Sequence, residues 1–231
     1  ASANQMIIVP SYHTKYAIVN FFPYIRPENI SVMYSPFKLL KKKQENDLSE
    51  YCVSKGEYYL LISGDRWLKN PYRAIQAFDH IFSEHKEFNK KVLVLGVGGI
   101  YEKMYRKVIK NHSQFIFKDY VSEAILDDLY KNAFCFVYPS LNEGFGYPPL
   151  ECMKYEVPVI ASSSTSISEV CQDGVMYFNP YSIDEIKNRI LNIYYEPEIR
   201  KELVRKGKQT YEKVNAKQKE MLKDLIQTIV N

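Results

Sequence analysis

From Tyr58 onward the chain alternates between short apolar runs and amphipathic stretches, and that alternation leaves few folds open. The runs are YYLLIS (58–63), KVLVLG (91–96), FIF (115–117), CFVYP (135–139), VPVIAS (157–162) and VMYF (175–178). Each has the length and continuity of a strand buried on both faces. Between them lie helical patterns. In SEAILDDLYKNA, Ile125, Leu126, Leu129 and Tyr130 share one face while Asp127, Asp128 and Lys131 take the other. Ser166 with Glu169, and Ser182 with Glu185, each read as a capping box at a helix start. From about Ile183 the pattern is helical to the end, closing on KQKEMLKDLIQTIV. Strands alternating with helices in this way build a parallel sheet covered on both sides. Residues 57–231 are therefore expected to form a doubly wound, Rossmann-like α/β domain.

The first residues do not continue that rhythm. MIIVP, SYHTKYAIVNFF and ENISVMYSP read as strand, helix and strand. Residues 1–37 thus look like the end of another domain, with an added edge strand on the main sheet as the alternative. Residues 38–56 are charged and poor in apolar pattern, and read as a linker. Lys38 and Lys41 to Lys43 within it are either a solvated face or a contact for acidic lipid.

Composition excludes several classes. An apolar fraction of 46% supports a full core, and a net charge of +4 suits phosphate-bearing ligands without identifying one. No basic tract is interleaved with aromatics, so nucleic acid is not expected as a partner. No apolar run is long enough to span a bilayer. Cys52, Cys135, Cys152 and Cys171 are scattered, as reduced thiols of a cytosolic protein would be. His13, His80, His85 and His112 show no metal-ligand spacing.

Open parallel sheets bind ligands beyond the carboxyl ends of their strands, and three loops there carry chemistry. The first is GDRWLKN, where Gly64, Arg66, Lys69 and Asn70 follow a strand; its two cations are placed to meet phosphate. The second, GVGGIYEK, has Tyr101 where a dinucleotide fingerprint needs glycine, so it is not read as an NAD site. The third is EGFGYPPLE, Glu143 to Glu151. Pro148 and Pro149 mark a helix start. Glu151 is expected inside the first turn. The prolines donate no N–H, so amides for an anion must come from Gly144, Phe145, Gly146 and Tyr147.

YVSEAILDDLYKNAFCFVYPSLNEGFGYPPLE, continued by CMKYEVPVIAS, resembles the E-x7-E region of the retaining family 4 glycosyltransferases with the GT-B fold. LLISGDRWLKN before it and DGVMYFNPYSIDEI after it fit the same family, and the likeness covers about 58–230. The opening strand-helix-strand is similar to the last piece of that family's N-terminal, acceptor-binding domain. The resemblance implies that Glu143 contacts hydroxyls of the donor sugar, helped by the Phe145 and Gly146 amides, and that Glu151 takes the ribose hydroxyls. Lys69 and Arg66 would neutralise the departing diphosphate; Tyr120 and Val121 would border the base.

The expected activity is transfer of a sugar, with retention, from a nucleotide-diphosphate sugar to an unknown carbohydrate or lipid-linked acceptor. No D-x-D occurs, so no metal and no other cofactor is expected, fixed cations and amides taking the metal's place. This chain would be the donor-binding part, missing most of its N-terminal domain and inactive alone. A non-catalytic sugar-nucleotide-binding subunit that needs a partner protein is the alternative. The implied location is the cytoplasm, with peripheral contact at the inner face of the membrane left open.

Overall fold

The computed structural model describes residues 6–37, 46–64 and 66–230. Its first unit is β1 (Ile7–Val9), α1 (Tyr12–Phe21) and β2 (Ile30–Val32), the strands pairing parallel with Ile7 opposite Ile30. The two form a sheet of their own and do not extend the main one, so the edge-strand alternative is not what the chain adopts. α1 buries none of its residues, and Tyr16 and Phe21 stand 63% and 80% exposed.

The six apolar runs become β3 (Tyr58–Ile62), β4 (Lys91–Leu95), β5 (Phe115–Lys118), β6 (Cys135–Tyr138), β7 (Val159–Ser162) and β8 (Met176–Phe178). They make one parallel sheet in the order β5-β4-β3-β6-β7-β8. From β3 the chain winds outward through β4 to β5, then returns to the other side of β3 at β6. That reversal opens a crevice between the loops that follow β3 and β6.

Alternate residues of each strand feed opposite core layers, as the period of two requires. Tyr59, Leu61, Val92 and Val94 pack against α2 (Pro71–Glu84), α3 (Gly99–Arg106) and α7 (Ile183–Tyr195). Tyr58, Leu60, Leu93 and Phe136 pack against α4 (Glu123–Asn132), α5 (Tyr147–Lys154) and α6 (Ser166–Cys171). α8 (Pro197–Val230) sends Leu203 into the first layer and Val214 into the second. Tyr58 and Tyr59 are fully buried, and each hydroxyl finds a carbonyl, Leu129 at 2.6 Å and Ile190 at 3.1 Å. A buried phenol needs such a partner, and these two sit in the strands as packing residues. Among the described residues no helix is long and apolar enough to cross a membrane.

Two expectations change. Ser166 does not cap α6: Thr165 stands at the N-cap with φ +53°, while the Ser166 hydroxyl donates to the carbonyl of Glu143 at 2.7 Å. Glu169 turns away to the N–H groups of Tyr12 and His13, so both halves of the supposed box serve tertiary contacts. Ser182 does cap α7, accepting the Glu185 N–H at 3.1 Å. The stretch read as a linker is, from Asn46 on, packed on the main domain. Asn46 binds the Asp128 carboxylate through its N–H (2.8 Å) and its side-chain amide (2.7 Å), and Tyr51 is buried in the second layer. Lys38 and Lys41 to Lys43 lie outside the described residues.

Candidate functional site

Of the sequence-predicted residues, Lys69 and Glu143 meet in the crevice at the sheet's reversal. After β3 the chain passes Gly64, at φ +55°, into a single turn over Trp67–Lys69, then Asn70 in the left-handed region at φ +53°. Asn70 accepts that conformation because its buried side-chain amide ties two other loops, donating to Pro139 O (3.1 Å) and Pro180 O (2.8 Å). The turn aims Lys69 across the crevice. Its Nζ lies 2.7 Å from Glu143 Oε1 and 3.0 Å from the Tyr138 hydroxyl.

Glu143 is held through its backbone N–H, its carbonyl and one carboxylate oxygen. Ser140 Oγ sits 2.6 Å from Oε1. The Glu143 N–H donates to Thr165 Oγ1 at 3.0 Å and its carbonyl accepts from Ser166. The side chains of Lys69 and Glu143 are each only 16% exposed, so the pair is worth more than a surface ion pair. Burial, and next the Glu143 carboxylate, push the Tyr138 hydroxyl far above its ordinary range, so it stays a donor.

Beyond Glu143 the backbone turns toward α5. The carbonyl of Gly144 faces Ser11 Oγ (2.7 Å) and Thr14 Oγ1 (3.2 Å). Phe145 is buried edge-on against Tyr34, ring centroids 5.0 Å apart. Gly146 is the N-cap of α5 at φ +97°, a conformation only glycine adopts without strain. Tyr147, Pro148 and Pro149 form the first helical residues, and the Tyr147 hydroxyl donates to Ser35 O at 3.0 Å. Because the helix begins at Tyr147, one residue ahead of the prolines, Glu151 falls in the second turn and not the first. It is half-buried, with the Tyr130 hydroxyl 3.4 Å away. Burial first, then the nearby Asp127 carboxylate, raise its carboxyl above the usual range.

The remaining expected residues divide. Val121 packs, partly buried, on the second core layer, whereas Tyr120 is 82% exposed. Arg66 is exposed, and it meets Lys69 through the backbone, its carbonyl accepting the Lys69 N–H at 3.0 Å. Two glycines of GVGGIYEK, Gly96 and Gly98, serve loop packing. A Cβ on Gly96, at φ +70°, would lie 2.6 Å from Gly64 N, and one on Gly98 would lie 2.9 Å from Asp119 Oδ2. Sequence reasoning missed the hydroxyls that fix Glu143 and Gly144, namely Ser140, Thr165, Ser166, Ser11 and Thr14. For Ser140, Thr165 and Ser166 the one trace is the clustering of small hydroxyl residues in PSLNE after β6 and in SSSTS at the end of β7.

A cation, an anchored carboxylate and a glycine turn thus meet where a doubly wound parallel sheet reverses its strand order. Residues 42–210 match the model of the family described as Glycosyl transferases group 1, and the chain belongs to that family. Among curated proteins it is 28% identical over 198 residues to the O-antigen chain mannosyltransferase RfbU of Salmonella typhimurium, covering 83% of this chain and 52% of the relative. It is 46% identical over 72 residues to the O-antigen chain mannosyltransferase B of Escherichia coli, 31% of this chain and 19% of that one. Among solved structures, Anabaena HepE in complex with UDP and glucose superposes with a TM-score of 0.77 at 16% identity, over 96% of this chain and 63% of HepE. A glycosyltransferase from Rickettsia africae gives 0.76 at 14%, over 97% and 62%. The fold is that of the GT-B glycosyltransferases. The chain spans about half the length of the curated relatives that it matches over most of its own length.

Proposed function

We propose that this chain binds the nucleotide-diphosphate sugar of a glycosyl transfer that proceeds with retention and without a metal. The observation that carries the reading is the Lys69–Glu143 pair, set beside the Gly144–Tyr147 turn in the crevice between β3 and β6. Cleaving the sugar–phosphate bond leaves negative charge on the diphosphate. Lys69 is placed to neutralise it, and the amides of Phe145 and Gly146 to donate to it or to the sugar. Glu143, released from Lys69 by the incoming phosphate, would accept from sugar hydroxyls while Ser140, Thr165 and Ser166 keep it in place. Glu151 would accept from the ribose, and Tyr120 and Val121 would border the base.

The relatives' names make a mannosyl donor and an O-antigen-type polysaccharide acceptor the first to test. The acceptor would lie mainly on a domain that joins the exposed α1 and its two-stranded sheet, so the chain alone would bind donor and transfer nothing. The experiment is calorimetry with GDP-mannose and UDP-glucose, combined with an assay for released nucleoside diphosphate. The reading predicts binding of one donor without release; steady turnover by the chain alone would contradict the partial role.

A further inference from the structure

The turn that follows Glu143 is gripped from outside the main domain. Ser11, the N-cap of α1, accepts the Thr14 N–H at 3.1 Å, and its single hydroxyl proton goes to Gly144 O at 2.7 Å. Thr14 Oγ1 approaches the same carbonyl at 3.2 Å. α1 is in turn held by Glu169 of α6, whose oxygens accept from the Tyr12 N–H (3.0 Å), the His13 N–H (2.9 Å) and the Tyr34 hydroxyl (2.8 Å). The first amides of a helix have no acceptor within it, so one carboxylate satisfies two of them and meets the positive end of the dipole. The same α6 holds Glu143, through Thr165 and Ser166. One short helix therefore sets both α1 and the carboxylate.

A peptide unit is planar and trans, so its carbonyl and its N–H point in opposite directions. With Gly144 O turned onto Ser11 and Thr14, the Phe145 N–H is aimed away from α1. No acceptor for that N–H is present among the described residues. A glycine imposes little orientation of its own on this peptide, so the two hydroxyls decide it.

We propose that Ser11, Thr14 and Glu169 are positioning residues that lock the Gly144–Phe145 peptide so that the Phe145 N–H stands ready for the anionic part of the donor. This rests on the donor-site reading above and adds that the β1–α1–β2 unit helps to build that site. The test is a ¹⁵N-labelled chain in which the Phe145 amide shift and exchange rate are followed without ligand, alongside calorimetric titration with UDP and GDP. Ser11→Ala with Thr14→Val, and separately Glu169→Gln, are each expected to move the Phe145 resonance and weaken the bound diphosphate about tenfold. Thr14→Ser, which keeps the hydroxyl, is expected to leave both unchanged. Thermal melts identify any variant that fails to fold, and Glu169→Gln preserves shape if the double change does not. An unmoved Phe145 amide in both variants, or a moved amide with undiminished affinity, overturns the positioning role alone. An unsubstituted chain that binds no diphosphate while its amide responds removes the donor reading and the positioning role with it.

Discussion

Lys69 and Glu143 neutralise one another in a mostly buried crevice, and that makes their energetics measurable one residue at a time. Lys69→Ala leaves a carboxylate with only hydroxyl partners, and is expected to lower stability by about 1–3 kcal/mol in denaturant unfolding. Adding Glu143→Gln should restore part of that loss, with a coupling of about 1–2 kcal/mol in the double-mutant cycle. Glu151 behaves oppositely. Its folded-state value lies above its unfolded one, so its contribution to stability is full below the ordinary carboxylate range and is lost as pH rises through the raised value. Glu151→Gln is therefore expected to stabilise the chain at neutral pH by about 0.5–2 kcal/mol. Thermal melts should show that gain disappearing below about pH 4. The same change should weaken nucleotide binding, the mark of a carboxylate kept for a ligand.

At the scale of elements, the loops after β3, β4 and β5 are packed so closely that glycine is a geometric need. Gly96→Ala combines a left-handed φ with a Cβ 2.6 Å from the backbone of Gly64, and neither neighbour is a side chain able to move aside. A loss of about 2–3 kcal/mol by chemical denaturation is expected, with the GDRWLKN loop displaced. The six strands were legible in the sequence because each is a continuous apolar run, and the helix at Pro148 because proline there has few alternatives. The capping box at Ser166 misled because its pattern is local while both side chains answer to distant partners, Glu143 and the start of α1. The same limit hid Ser11 and Thr14: their contact with Gly144 spans more than a hundred residues of chain and leaves no spacing to read. Lys69 and Glu143 were legible as residues, but their pairing was not.

Across the whole molecule, charge and shape converge beyond the carboxyl ends of the two central strands, β3 and β6. The reversal between β3 and β6 places the cation, the carboxylate and the glycine turn together, and α6 fixes them against the β1–α1–β2 unit. That unit exposes Tyr16, Phe21 and Tyr24, at 63%, 80% and 74%. A further domain would cover them, whereas the donor site can be tested on this chain directly. The decisive measurement is calorimetric titration of the chain with UDP, GDP and ADP, with NAD as control, in the presence of a chelator. One diphosphate should bind, NAD should not, and Lys69→Ala and Glu151→Ala should each weaken binding at least tenfold. A folded chain that binds none of them, or binds one equally well after Lys69→Ala, would contradict the account.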